Sequence, residues 1–203
     1  MLIADAYSFL RKTAVAAERP IPVEEAKAAL RIPHSFEDEV LENKLDAAEE
    51  LIEARTTRVL RPCDFELSLK GHVGPVELKV APIRDVTSVE YRTLAGAWVL
   101  AGANEYEFLP SVGGGLVVFL SSAAPPEYDS ERANLRIKFA AGYGDAGEAD
   151  AVDPELVLPR RVRELILLLA GHWFEHREAV TSGDLAEIPL GAKLLFEELR
   201  HFR

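Results

Sequence analysis

Residues 159–180 read PRRVRELILLLAGHWFEHREAV, and the rest of the chain is organised around this stretch. Pro159 suits the first turn of a helix, where a missing N–H costs nothing. Val162, Leu165, Ile166, Leu169, Trp173 and Phe174 recur at helical spacing and form one broad apolar stripe. Leu167, Leu168 and Ala170 fill the sides and leave little polar face in the middle turns. The pattern predicts a central helix over 159–178, buried against several partners at once.

Those partners lie on both sides of it in sequence. Upstream, Pro22 to Leu30 reads as a short helix with Glu24 and Glu25 in its first turn, as the helix dipole favours. Ile32-Pro33 stops it, which predicts a helix over 22–32. Ser35 then stands as the cap of a longer helix over 36–58, with Asp38 in the capping-box position. Leu41, Leu45, Ala48, Ile52 and Arg55 share its apolar face, and its outer face is strongly acidic. Downstream, Thr181-Ser182-Gly183-Asp184 predicts a flexible break. The tail from Ile188 to Arg203 reads as a short helix that closes the bundle, or as an apolar tail that docks on another subunit.

Between the helices the period changes from 3.6 to 2. Phe65, Leu67 and Leu69 alternate with polar residues, as do Val76, Leu78 and Val80, and later Leu135, Ile137 and Phe139. Gly71, Gly74-Pro75, Ala95-Gly96, Gly113-Gly114-Gly115 and Pro125-Pro126 punctuate these runs as turns. The expected fold is therefore α+β, a helical bundle with an inserted antiparallel β lobe over about 64–140. The expected division is an N-terminal arm (1–21, a short helix or a segment ordered by a partner), a helical core (22–62 and 141–187), the β lobe (63–140) and a C-terminal docking segment (188–203).

Composition excludes several classes. The 203 residues carry a formal net charge of −11, which opposes any grip on nucleic acid through its phosphates. Cys63 is the only cysteine, so no internal disulfide forms. Asp5, Arg11 and Lys12 break up the start of the chain as a signal peptide. The longest apolar run, 165–171, is far too short to span a bilayer, and a soluble protein with no membrane partner is expected.

His172-Trp173-Phe174-Glu175-His176 spells H-x-x-E-H. Two histidines four apart on a helix can both reach a zinc ion, and a neighbouring Glu can act as general base on metal-bound water. Glu197, Glu198 and His201 are the third-ligand candidates nearest in sequence. A zinc-dependent hydrolase is thus the enzyme alternative, but a five-residue match is weak and Trp173 and Phe174 continue the core stripe. Histidines satisfied on a partly buried helix are the stronger reading. The triple glycine and Gly142-Tyr143-Gly144 match no phosphate-binding pattern. Cys63 has no base near it in sequence and reads as structural. Tyr91, Trp98, Tyr106 and Phe108 would make the lobe a ligand-binding module only if they lined one concave face, and core packing is the simpler role. No catalytic constellation survives, and no cofactor is expected.

Taken in order, residues 22–31 (PVEEAKAALR), 51–56 (LIEART), 139–145 (FAAGYGD) and 165–180 resemble head–tail connector (adaptor) proteins of tailed phages, the gp6-like or phiE125 gp8-like family. The resemblance runs over about residues 20–200 and extends to relatives in prophages and gene transfer agents. It implies a non-enzymatic virion protein at the head–tail neck that assembles as a ring, usually twelvefold, beneath the portal protein. The ring would meet the next neck component, the stopper, and let DNA pass without specific binding. It also implies that Ile188 to Arg203 reaches the portal. Within that segment Leu194, Leu195, Leu199 and Phe202 are the expected apolar anchors, beside Ile188 and Leu190, with Arg200 and Arg203 as rim charges. His176 departs from the family pattern, where Asn is expected, and so does the longer N-terminus.

Overall fold

The computed structural model describes residues 8–16, 18–70, 74–111, 113–120, 133–144, 156–176 and 189–201. The chain divides into two compact units, one of residues 1–16 with 61–142, the other of 17–60 with 143–203. Helices and antiparallel strands segregate between them, so the α+β class expected from the sequence is borne out.

The helical unit holds α1 (Val23–Leu30), α2 (Asp38–Thr56), α3 (Arg160–Glu175) and α4 (Leu190–His201). Its core joins Leu41, Leu45, Ala48 and Ile52 of α2 to Val162, Leu165, Ile166, Leu169 and Ala170 of α3. These are the 3.6-period positions, and each fully buried Leu or Ile contributes about 2 kcal/mol by leaving water. Helix α3 is less apolar around its girth than the sequence suggests. Arg160, Arg161 and Glu164 face outward and Leu168 stays exposed. The predicted continuation of α3 past residue 176 and the break at 181–184 lie outside the described residues.

The capping box expected at Ser35 and Asp38 does not form. Helix α2 starts behind Glu37, which makes no side-chain cap bond. Both expected capping groups turn instead to Lys27, whose side chain is only 8% exposed. Its ammonium reaches Asp38 Oδ1 at 3.0 Å and donates to Ser35 Oγ at 3.2 Å, with Glu24 at 3.4 Å. A cap contributes only about 1 kcal/mol, less than a buried ammonium loses without partners. The hydrogen bond to Asp38 holds the Lys27 pKa above its ordinary value, against the opposing effect of burial.

The β unit holds β1 (Ser8–Val15), β2 (Cys63–Lys70), β3 (Val76–Leu78), β4 (Ile83–Arg92), β5 (Trp98–Leu100), β6 (Tyr106–Ser111), β7 (Gly114–Phe119) and β8 (Ala133–Ala141). One sheet has the order β1-β2-β8-β4-β5 and the other β3-β7-β6, with antiparallel neighbours throughout. Register lines up three apolar rungs across β2, β8 and β4. They are Phe65–Phe139–Val86, Leu67–Ile137–Val89 and Leu69–Leu135–Tyr91. Phe65 and Phe139 stack with ring centroids 5.3 Å apart. Cys63 belongs to the same inner face and is buried, which suits the structural role expected of it.

Strand β1 corrects the reading of the N-terminus. Residues 8–15 form neither a helix nor a separate arm; they pair with β2 from Ser8↔Leu69 to Val15↔Cys63, with a bulge between Lys12 and Ala14. Adjacent Arg11 and Lys12 break the period-2 alternation, and the partner strand lies nearly fifty residues downstream, so no local signal marks the pair. Ile21, also assigned to the arm, is fully buried in the helical core.

On the opposite face of the large sheet the register builds a charged ladder. Arg11 meets Glu66 at 3.5 Å, Arg136 lies 3.7 Å from Glu66 and 3.2 Å from Glu90, and Lys138 meets Glu90 at 2.6 Å. Trp98 covers it, with the Arg136 guanidinium 4.0 Å from the ring centroid. Burial pushes the Glu90 pKa up, but the hydrogen bonds and charges of Lys138 and Arg136 outweigh it and the net shift is downward.

Two consequences are measurable. Gly142 has φ +115°, and a Cβ there would lie 2.3 Å from the Arg61 carbonyl oxygen. Gly142→Ala should therefore cost about 2–4 kcal/mol in urea unfolding, where Gly→Ala at a site of ordinary φ stabilises by up to about 1. A folded-state carboxylate with a depressed pKa stabilises above its unfolded pKa and loses that effect as pH falls through the folded value. Glu90→Gln should accordingly lower stability by about 1 kcal/mol at pH 7. The difference from wild type should close as the pH falls below about 4.

Candidate partner-binding surface

Helix α4 is the segment the sequence marks for docking, and its two faces have different fates. Ala192, Phe196 and Leu199 turn into the core of the helical unit. The Arg55 guanidinium lies over the Phe196 ring, 5.3 Å from its centroid. Leu195 is half-buried against the same cluster. Leu190 and Leu194 point outward, 75% and 58% exposed. Spacing of four places these two on one face, and Gly191 brings α4 close to the exposed Leu168 of α3. Among the described residues of α3 and α4, Leu168, Leu190 and Leu194 are thus the large apolar side chains left in water.

Of the residues expected to bind a partner, Leu199 serves the core and Leu195 is shared, which leaves Leu190 and Leu194 as the outward pair. Period alone could not separate them, since Leu190, Leu194, Leu195 and Leu199 cover more than one face of a helix, and α3 decides which face is buried. Arg200 lies within α4, but its side chain falls outside the described residues, as do Ile188, Phe202 and Arg203.

The acidic residues of the first helices are largely engaged within their own unit. Arg19 donates to Asp46 Oδ2 at 3.0 Å and lies 3.7 Å from Glu42, and Arg163 pairs with Glu25. Glu53 Oε1 accepts the Leu60 N–H at 2.8 Å. The acidic outer face of α2 therefore has less open charge than its sequence suggests. Arg19 and Arg163 were the missed partners; they sit far from these acids in sequence, and only folding brings them together. Tyr143, also in this unit, bonds through its hydroxyl to Arg58. Burial raises its pKa, and Arg58 opposes that shift.

The H-x-x-E-H stretch does not converge on a metal. Helix α3 ends at Glu175, and His176 leaves helical geometry at φ −105°, ψ 68°. The two imidazoles stack with centroids 4.5 Å apart, and His176 Nδ1 lies 3.1 Å from the His172 carbonyl oxygen. Among the described residues no three His, Cys, Asp or Glu are grouped to hold a metal ion. Glu197 is exposed, and the side chains of Glu198 and His201 lie outside those described.

Three of the lobe's aromatic residues are each engaged separately. Tyr91 is buried and tilts against Phe119 at 6.1 Å. Phe108 lies over Gly115, where a Cβ would be 2.2 Å from its ring. Trp98 is held by Arg136 and Arg92. These contacts fit packing, the simpler role assigned to them.

Fold and surface together define a class, an α+β protein of two units with outward apolar side chains on helix α4 and on the borders of its larger sheet. The particular likeness comes from comparison. Residues 20–96 match the model of the family described as phage gp6-like head-tail connector protein. Over nearly its whole length the chain is similar to chains in solved gene transfer agent (GTA) particles. In the virion of the native GTA particle the likeness has a TM-score of 0.71 at 25% identity, covering 94% of each chain. In the neck of the empty GTA particle, computed with C6 symmetry, it is 0.69 at 25% identity, covering 95% of each. A third match, in the neck of the native GTA particle computed with C12 symmetry, has a TM-score of 0.62 at 24% identity and shows the fold alone. No curated protein sequence matches the chain significantly. The resemblance to phage head–tail connectors read from the sequence is borne out.

The imidazole geometry makes a direct prediction. Purified protein should carry no stoichiometric zinc, and neither added zinc nor a chelator should shift its melting temperature. Zinc retained through gel filtration and lost in His172→Ala would contradict it.

Proposed function

We propose that this protein is a structural connector at the head–tail neck of a tailed phage or phage-like particle, working without catalysis. The observation that carries the reading is the near-full-length likeness to chains of GTA particles, joined to the head-tail connector match at residues 20–96. In this role the chain forms a closed ring beneath the portal protein, meets the next neck component on its far side, and continues the DNA channel. The ring is twelvefold in this proposal, as the connector resemblance implies.

Two physical features agree with that role. A net charge of −11 discourages tight binding of passing DNA. Fixed negative charge repels phosphate over about a Debye length, ~8 Å at physiological salt. Helix α4 supplies the portal-facing contact, with Leu190 and Leu194 as its apolar anchors. Ile188, Arg200, Phe202 and Arg203 extend the same docking segment. Leu195 and Leu199, half-buried and buried, hold the helix in place.

Antibody labelling of purified particles under electron microscopy should mark the neck, and particles unlabelled despite containing the protein would refute that location. Leu190→Asp with Leu194→Asp should leave the monomer folded, since exposed substitutions shift stability by only about 0.5 kcal/mol each. The double variant should fail to join the portal. Normal assembly of that variant would remove α4 from the docking role and leave the neck location standing.

A further inference from the structure

We infer that the two edges of the five-stranded sheet are the complementary halves of the contact between neighbouring copies, β1 of one subunit lying against β5 of the next. The inference rests on the ring reading above and names the surfaces that close it.

The sheet ends in β1 on one side and β5 on the other. Among the described residues neither strand pairs with a second neighbour, so each offers an edge of backbone N–H and C=O groups that can template another strand. Both edges also carry apolar side chains in water. On β1 these are Phe9, 66% exposed, with Leu10 and Val15; on β5 they are Leu100, 67% exposed, with Val99. Leu10 is in register with the buried Leu67, so it belongs to the inner face yet remains uncovered there. An eight-residue edge with Phe9, Leu10 and Val15 in water is a natural site of strand addition in an assembly.

Charge selects which edge meets which. Strand β1 carries adjacent Arg11 and Lys12 and no acid; Arg11 is half-exposed while it also meets Glu66 of its own sheet. The segment 98–105, WVLAGANE, carries Glu105 and no cation. The Glu105 carboxylate accepts the Gly102 N–H at 3.1 Å, which holds it just past the end of β5. Pairing β1 with β1 sets cations opposite cations, which destabilises a strand pair, whereas β1 against β5 brings opposite charges together. The two patches differ, so the contact is heterologous and propagates head to tail, the kind that closes a ring when the rotation permits.

Cross-linking tests this directly. Four strand spacings separate β1 from β5 within one chain, roughly 19 Å. A disulfide requires Cα atoms within about 7 Å, so any β1–β5 bond must join two copies. Phe9→Cys, Arg11→Cys and Thr13→Cys are each combined with Val99→Cys and assembled into particles. After oxidation, at least one pair should lose its monomer band to a reducible ladder extending beyond dimer, while the single variants stay monomeric. Monomer alone from all three pairs, in particles shown to contain the protein, overturns the inference and leaves the neck reading intact. Dimers from a β1 cysteine alone overturn it in favour of a β1–β1 contact. Absence of the unsubstituted chain from particles overturns the neck reading and this inference with it. Leu100→Asp is the complementary variant. It should fold normally by circular dichroism yet be lost from particles, and its normal incorporation counts against the contact.

Discussion

Burial of the Val162, Leu165, Ile166 and Leu169 stripe against Leu41, Leu45, Ala48 and Ile52 is the constraint on which the helical unit depends. At about 2 kcal/mol for each large side chain, it outweighs every exposed ion pair in the unit, each worth under 1 kcal/mol. Its consequences reach α4. Once Phe196 and Leu199 enter the same core, Leu190 and Leu194 are turned outward with no further choice. The outward face of α4 is thus set by what the core takes first.

The β unit answers to a different constraint, the period of two. Register across β2, β8 and β4 sends Phe, Leu, Ile and Val to one face and Glu66, Arg136, Glu90 and Lys138 to the other. A slip of one residue would bury the charged ladder and expose Phe139, so apolar burial and ion pairing enforce the same alignment. Among the described residues the two borders of that sheet, β1 and β5, pair on one side only.

Electrostatics divides in the same manner between internal and external use. Lys27, Arg19 and Arg163 absorb much of the acidity of α1 and α2, while the chain keeps a net charge of −11. Short-range pairs hold the unit together, and the unbalanced remainder acts at longer range on whatever polyanion comes near. The likeness to GTA chains and the head-tail connector match make that polyanion DNA in the proposed role.

Sequence by itself determined the elements with strong periodicity. The 3.6-period of α2 and α3, the 2-period of β2 and β8, the α+β class and the head–tail connector resemblance were all legible, because each is written in neighbouring residues. It did not mark β1, whose alternation is broken by Arg11 and Lys12 and whose partner lies far along the chain. It assigned Ser35 and Asp38 to a cap, where a buried ammonium drew them instead. It kept H-x-x-E-H as a weak ligand pair beside the stronger reading of satisfied helix histidines, and could not show that α3 ends before His176 takes helical geometry. It named Leu190, Leu194, Leu195 and Leu199 together, and could not tell anchor from core. Tertiary structure decided all four, for one physical reason. Each outcome depends on groups distant in sequence competing for the same space or the same hydrogen bonds, and that competition takes place only when the chain is folded.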